Sequence, residues 1–66
     1  MIISDLTRTE ADYLEILCNF TEEEEALFEM RLKGFTIDQC AEELNVSLPT
    51  AKRISRRVNR KIALEM

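Results

Sequence analysis

Three times along this 66-residue chain, a threonine is followed three residues later by a glutamate or a glutamine. The pairs are Thr7 with Glu10, Thr21 with Glu24, and Thr36 with Gln39. In a capping box, the threonine side chain accepts a hydrogen bond from a free amide of the first helical turn, and the longer side chain bonds back to the threonine amide. The sequence therefore predicts three helix starts. A fourth is predicted at Ser47, because Pro49 then falls in a first turn, where its missing N–H costs nothing.

The residues that form turns are scarce and sit where helices should end. Gly34 and Pro49 are the only glycine and proline, which argues against a chain of tight β-turns. Asn19, Gly34 and Asn45 tolerate the left-handed conformation that closes a helix. We therefore predict an all-α, four-helix fold in a single domain, residues 1–66, with a start near Ser4 as an alternative for the first helix. The predicted helices span about 8–18, 22–33, 37–44 and 48–64.

Apolar spacing predicts which side of each helix faces the core. In the fourth helix the predicted core face is Ala51, Ile54, Val58 and Ile62. In the third it is Ile37, Cys40, Ala41 and Leu44. In and around the first it is Leu6, Tyr13, Ile16, Leu17 and Phe20. The second helix is apolar over most of its circumference, so it is expected to pack between the first helix and the last two, with its glutamate run in solvent.

Charge is distributed unevenly along the chain. The net charge is −4, but residues 1–45 contain twelve acids and three bases, whereas residues 46–66 contain six bases and only Glu65 as an acid. Such asymmetry is a nucleic-acid signal. On the fourth helix, the side opposite the predicted core carries Pro49, Arg53, Arg56, Arg57 and Arg60, with Lys52 and Lys61 at its edges.

The composition offers little support for other classes of function. Cys18 and Cys40 lack the spacing of metal ligands, and no histidine completes a site. We interpret both as reduced, apolar packing residues. No pattern implies a cofactor, and no nucleophile has an evident base, so we predict that the protein is not an enzyme. Reduced cysteines predict a cytoplasmic protein, and no stretch has the length expected of a signal peptide or a membrane span.

The joint between the third and fourth helices is the most informative feature. A short helix, a turn of three residues (Asn45, Val46, Ser47) and a longer helix form the helix-turn-helix pattern. The longer helix would lie in the major groove of duplex DNA and present cations to phosphates and base edges. Two alternatives for its basic face are a merely solvated surface and attachment to an acidic membrane.

Residues 20–62 resemble region 4 of bacterial sigma factors and the related LuxR-type helix-turn-helix domains. The resemblance covers about two thirds of the chain without a gap. The matching residues are Phe20, Thr21, Leu27, Phe28, Met30, Arg31, Gly34, Thr36, Ala41, Glu42, Leu44, Val46, Ser47, Thr50, Ala51 and Lys52. The resemblance implies a compact helical domain that binds promoter-type DNA through its last helix, and it also implies a contact with RNA polymerase.

Individual positions carry further implications of that resemblance. Thr50 resembles the family's phosphate contact and Lys52 its groove-facing cation. The other groove-facing positions are Leu48, Pro49, Arg53 and Arg56. The start of the third helix, at Thr36 and Gln39, resembles the element that touches the DNA backbone. The basic face adds Arg57 and Arg60 to this predicted interface.

The chain also departs from the family pattern. Pro49 cannot donate a hydrogen bond and Leu48 has no polar group, which reduces readout in the first turn. There is no room for the core-promoter domain of a sigma factor or for a receiver domain. The size fits a freestanding regulator, for which we suggest a phage or prophage origin.

We therefore predict a sequence-specific transcriptional regulator that binds duplex DNA, as a homodimer. The dimer is expected because one basic helix neutralises few phosphates, and because Met1, Ile2, Ile3 and the first helix offer spare apolar surface. The alternative for these residues is that they cover the flank of the second helix in a monomer. The alternative function is a protein-interaction module that binds RNA polymerase or a sigma antagonist through its acidic part.

Overall fold

The computed structural model describes residues 3–65, which form four α-helices and a short 3-10 helix and contain no strand. The 3-10 helix is Ile3–Asp5, and α1 to α4 are Arg8–Cys18, Glu22–Leu32, Ile37–Leu44 and Leu48–Glu65. The all-α class and all four predicted helix starts are confirmed. The predicted ends are confirmed to within one residue: α2 ends one residue earlier and α4 one residue later than the sequence predicted.

The starts of α1, α2 and α3 owe their positions to the three predicted capping boxes, all of which form. In each box the threonine amide donates to the partner side chain: 2.9 Å to Glu10, 3.0 Å to Glu24 and 2.9 Å to Gln39. In return, each threonine hydroxyl accepts from the partner's own amide. Because these bonds are local, they were readable from the sequence.

Two of the helix ends are closed in the same way. Gly34, at φ 92°, follows α2, and the Phe35 amide then donates to the Met30 carbonyl at 3.0 Å. After α3, Asn45 takes φ 57°, and the Val46 amide donates to the Ala41 carbonyl at 3.0 Å. Both are Schellman-type ends, which turn the chain sharply while satisfying the last carbonyls. The turn after α3 therefore fixes the direction in which α4 begins.

The core forms around α4, which contacts each of the other three α-helices. Its four predicted core residues are all buried, which confirms that prediction. The prediction that α2 packs centrally is wrong: α2 contacts α3, α4 and the 3-10 helix, whereas α1 packs against α4 and reaches α2 through the pair of Arg8 with Glu29. Cys18 and Cys40 are buried free thiols, as predicted. Burial raises the pKa of both thiols, which makes them poor nucleophiles.

The core face predicted for α1 is wrong. Ala11, Leu14 and Cys18 are buried instead. The larger side chains point outward: Tyr13 is 63% exposed, Ile16 79% and Leu17 38%. The reason is that α1 is apolar on both sides, and the side with small Ala11 and Cys18 allows closer packing. Leu6 and Phe20, which flank the helix, do pack against the core.

The 3-10 helix covers part of α2. Ile3 is 6% exposed and belongs to the same core cluster as Phe28. The alternative, that the N-terminal apolar residues cover the flank of the second helix, is therefore confirmed for Ile3. Ile3 adds nothing to an exposed apolar surface. Met1 and Ile2, which the same prediction included, lie outside the described residues.

Candidate nucleic-acid interface

The two sides of α4 differ completely in character. One side is sealed in the core, where Ala51, Val58 and Ile62 are 0% exposed and Ile54 is 1% exposed. Rotating about 100° per residue places the arginines on the opposite side, in solvent. The outer face of α4, as the term is used below, comprises Pro49, Lys52, Arg53, Arg56 and Arg60, all of which are exposed.

The four cations of the outer face have no ion-pair partner among residues 3–65. No carboxylate of residues 3–65 pairs with Lys52, Arg53, Arg56 or Arg60. Guanidinium groups left in solvent keep all their donors available for a planar acceptor such as a phosphate or a guanine edge. The outer face can therefore bind an anion without first breaking an ion pair.

The start of α4 adds the hydroxyl of Thr50 to this surface. The Ala51 amide donates to the Ser47 carbonyl at 3.0 Å, which closes the first turn. The Ser47 hydroxyl donates to Thr50 Oγ1 at 2.9 Å and accepts from the Thr50 amide at 3.4 Å. Because Thr50 accepts in this bond, its own hydroxyl proton remains available to a phosphate oxygen. Leu48 is 37% exposed beside it.

Arg57 and Lys61 are placed differently from the other cations of α4. Both bind Glu24, the third residue of α2, which is only 2% exposed. Arg57 Nε donates to Glu24 Oε2 at 3.2 Å, and Lys61 Nζ donates to Glu24 Oε1 at 2.5 Å. The structure thus brings Arg57 to the edge of the outer face but ties one side of its guanidinium to a buried carboxylate. The sequence did not predict this contact.

The sequence contains one indication that Glu24 is buried, but the glutamates beside it suggest a solvated position. Glu24 lies three and four residues before Leu27 and Phe28, so it shares their side of the helix. It was instead counted with the solvated glutamate run. Burial alone raises the pKa of Glu24, but hydrogen bonds from Lys61 and the Thr21 amide, with the charges of Lys61 and Arg57, lower it below its ordinary value. Glu24 is therefore a carboxylate at neutral pH.

The two residues predicted at the start of α3, Thr36 and Gln39, are exposed and occupied with each other. The Thr36 amide donates to Gln39 Oε1, and the Gln39 amide donates to Thr36 Oγ1 at 3.2 Å. The carboxamide nitrogen of Gln39 and the hydroxyl proton of Thr36 are left over. These groups can donate to a phosphate while the capping box remains intact.

A second charged cluster lies between α1 and α2. Arg8 Nη2 is 2.7 Å from Asp12 Oδ1, and Arg8 Nη1 is 3.1 Å from Glu29 Oε1. Glu15 is 3.6 Å from the same guanidinium, and its Oε1 is a buried oxygen without a hydrogen bond to the described residues. Burial, with the Glu29 carboxylate beside it, raises the pKa of Glu15 to about 7. This cluster is acidic overall and has no excess cation for a nucleic acid.

Comparison with protein-family models, with curated proteins and with solved structures gave no match. The resemblance to sigma factor region 4 therefore stays a prediction. Within residues 3–65, no helix combines the length and the apolar character needed to cross a membrane. The same residues contain no group of three metal-ligating side chains placed to hold an ion.

Proposed function

We propose that the protein is a sequence-specific, duplex-DNA-binding transcriptional regulator that reads the major groove with α4. The observation that carries this proposal is the outer face of α4, where four exposed cations have no carboxylate partner within residues 3–65. The chain elsewhere is strongly acidic, so a cationic face kept clear of ion pairs is best explained by an anionic ligand.

The joint between α3 and α4 supports a helix-turn-helix. α3 has eight residues. After it, Asn45 in the left-handed conformation and the hydrogen bond from the Val46 amide to the Ala41 carbonyl produce a short, fixed turn before Ser47. Ala41 and Ala51 are both buried, and small side chains there permit two helices to cross closely. Such a joint anchors a recognition helix by its inner side while its outer side enters the groove.

Roles for the individual residues follow from their places on α4. Lys52 and Arg53, near the N-terminal end, suit base edges, because that end of a recognition helix enters the groove most deeply. Arg56 and Arg60, one and two turns further on, suit phosphates. Thr50 would donate to a phosphate with its hydroxyl group. Leu48 could contact a thymine methyl group.

Fluorescence anisotropy with labelled duplexes tests the proposal, preceded by selection of bound duplexes from a random pool. Phosphate contacts by Arg56 and Arg60 would give a slope of log affinity against log salt of about −2 for each chain. We expect the selected duplex to bind more tightly than a random one at every salt concentration. Binding that is absent, or that does not change with salt, would contradict the proposal.

We further propose that the DNA-bound form is a homodimer. Two of the six cations of α4 are held by Glu24, so a single chain offers few free charges and should bind weakly. A second copy would supply the missing contacts on an adjacent half-site. The exposed apolar residues of α1, Tyr13, Ile16 and Leu17, offer a surface for that copy.

Sedimentation equilibrium at micromolar concentration tests the dimer. The wild-type chain should sediment as a dimer and Ile16→Glu as a monomer, because a carboxylate in an apolar interface would have no partner. A monomeric wild-type chain that binds one-to-one to a non-palindromic site would contradict it.

The same exposed stripe on acidic α1 favours one competing function. In this second proposal, the protein is an interaction module that binds RNA polymerase or a sigma antagonist, and α4 is simply solvated. The two functions differ in what they predict for DNA. The interaction module should show no salt-sensitive binding to any duplex, whereas Ile16→Glu should abolish its binding to the protein partner.

A further inference from the structure

Arg57 is the one arginine of α4 whose guanidinium is fixed from behind. Its Nε donates to Glu24 Oε2 at 3.2 Å, yet the side chain remains 47% exposed. Residues 3–65 provide no hydrogen-bond partner for its two terminal nitrogens, Nη1 and Nη2. The arrangement leaves a pair of donors at the edge of the outer face of α4.

The carboxylate that binds Arg57 is itself held by several hydrogen bonds. Glu24 is 2% exposed and accepts three hydrogen bonds, from the Thr21 amide, from Arg57 and from Lys61. Lys61 and Thr21 hold Oε1, whereas Arg57 alone holds Oε2. Because Lys61 already supplies a positive charge to the buried carboxylate of Glu24, Arg57 is not needed to balance that charge.

We infer that Glu24 is a positioning residue for DNA binding, and that it holds Arg57 so that Nη1 and Nη2 face a phosphate. This inference rests on the proposed function. A guanidinium has enough donors to bond a carboxylate through Nε and a phosphate through its terminal nitrogens at once, which an ammonium group cannot do with the same geometry. Holding the side chain in advance removes the rotamer entropy that a free arginine loses on binding.

The sign of one substitution separates this role from simple electrostatics. Glu24→Gln removes a negative charge near the DNA, so long-range attraction alone predicts equal or tighter binding. Loss of positioning predicts weaker binding, by roughly tenfold, because the donor of one charge-assisted hydrogen bond is no longer held in place before DNA binds. Glu23→Gln is the matched control, because it removes the same charge from the exposed neighbouring residue, and it should not weaken binding.

A double-mutant cycle on the selected duplex, measured by anisotropy, then tests whether Glu24 acts through Arg57. We expect Glu24→Gln to weaken binding in the wild-type chain and to cause no further loss in Arg57→Ala. Circular dichroism melts of each variant restrict the comparison to folded protein. Tight binding by Glu24→Gln, or an equal loss in both backgrounds, would overturn the inference.

A second variant covers the case in which Glu24→Gln does not fold. Arg57→Lys keeps the charge and a partner for Glu24, but it loses the terminal donors, so we expect it to bind DNA nearly as weakly as Arg57→Ala. Affinity equal to that of the wild type would overturn the inference. If Arg56→Ala weakens binding but the Glu24 and Arg57 variants do not, the positioning role is wrong and the proposed function stands. If the wild-type chain binds no duplex, the proposed function is wrong as well.

Discussion

α1 and α4 are both apolar enough to have a core side, but only α4 has an unambiguous one. In α4 the side opposite the core carries arginines, so sequence and structure agree on its orientation. In α1 large apolar residues occupy the side opposite the core, and Ile16 is 79% exposed there. The comparison shows that a clear polar side orients a helix more reliably than a long apolar stripe.

The difference also affects the kind of ligand that each helix is suited to bind. The outer side of α4 is charged and free of ion pairs within residues 3–65, which suits an anionic ligand. The outer side of α1 is apolar and lies on an acidic helix, which suits a protein surface. The following predictions test whether the two helices really differ in this way.

The largest expected effect is on folding, from equivalent truncations in the two helices. Ile54→Ala should lower the free energy of unfolding by about 2–5 kcal/mol, because Ile54 is 1% exposed in the core. Ile16→Ala should change it by less than about 0.5 kcal/mol, because its side chain is mostly in solvent. Denaturant unfolding at low protein concentration measures both. Similar losses would mean that the outward side of α1 is covered in the folded chain.

The crossing of α3 and α4 gives a second comparison. Ala51→Leu should destabilise the fold by about 1–3 kcal/mol, because Ala51 is 0% exposed and a larger side chain must displace its neighbours. Ala63→Leu is the matched control on the same helix, because Ala63 is exposed. Arg53→Ala should likewise be close to neutral. Equal melting temperatures for Ala51→Leu and Ala63→Leu would contradict a close crossing.

The charged contact between α1 and α2 predicts a dependence on pH. The pKa of Glu15 is raised to about 7 in the fold, so its protonated form stabilises the protein fully below its ordinary value and this contribution is lost as pH rises through about 7. Arg8, Glu25 and Glu29 are the charged groups that face it. Glu15→Gln mimics the protonated form and should be more stable than the wild type by about 1–2 kcal/mol at pH 8, with little difference near pH 4.

The lowered pKa of Glu24 and Glu29 acts in the opposite direction, since their stabilising charge is lost in acid. The difference between Glu15→Gln and the wild type, taken at each pH, isolates the contribution of Glu15. Exposed Glu43→Gln is the control and should show no such trend. A difference that is constant between pH 4 and pH 8 would show that folding does not change the pKa of Glu15.

How far the sequence could predict the molecule depended on how local each feature is. Capping boxes and the left-handed Asn45 involve residues within one turn, so they were predicted correctly. The burial of Glu24 depends on Arg57 and Lys61, which are 33 and 37 residues away, so spacing alone could not show it. The orientation of α1 depends likewise on which side fits closely against α4. The exposed cations of α4 were identified individually, but their freedom from ion pairs became visible only in the fold.

The last expected effects are on DNA binding and leave the fold unchanged, because each concerns a single cation on the outer face of α4. Arg56→Ala should reduce the slope of log affinity against log salt by about one unit, because one phosphate contact and its released counterion are lost. Substitutions of Lys52 or Arg53 should instead relax the preference at one or two base pairs, costing about 1–3 kcal/mol on the preferred site. Anisotropy titrations at several salt concentrations, on preferred and altered duplexes, measure both quantities.

The control for the Arg56 experiment must remove a positive charge from a different part of the surface. Lys33 is suitable because it is exposed at the end of α2, off the outer face of α4. If the slope changes for Arg56→Ala and not for Lys33→Ala, the phosphates lie along α4. If both variants change the slope equally, the chain attracts DNA through its overall charge, and the contrast between α1 and α4 loses its functional meaning. An unchanged slope in Arg56→Ala would remove this part of α4 from the phosphate contacts.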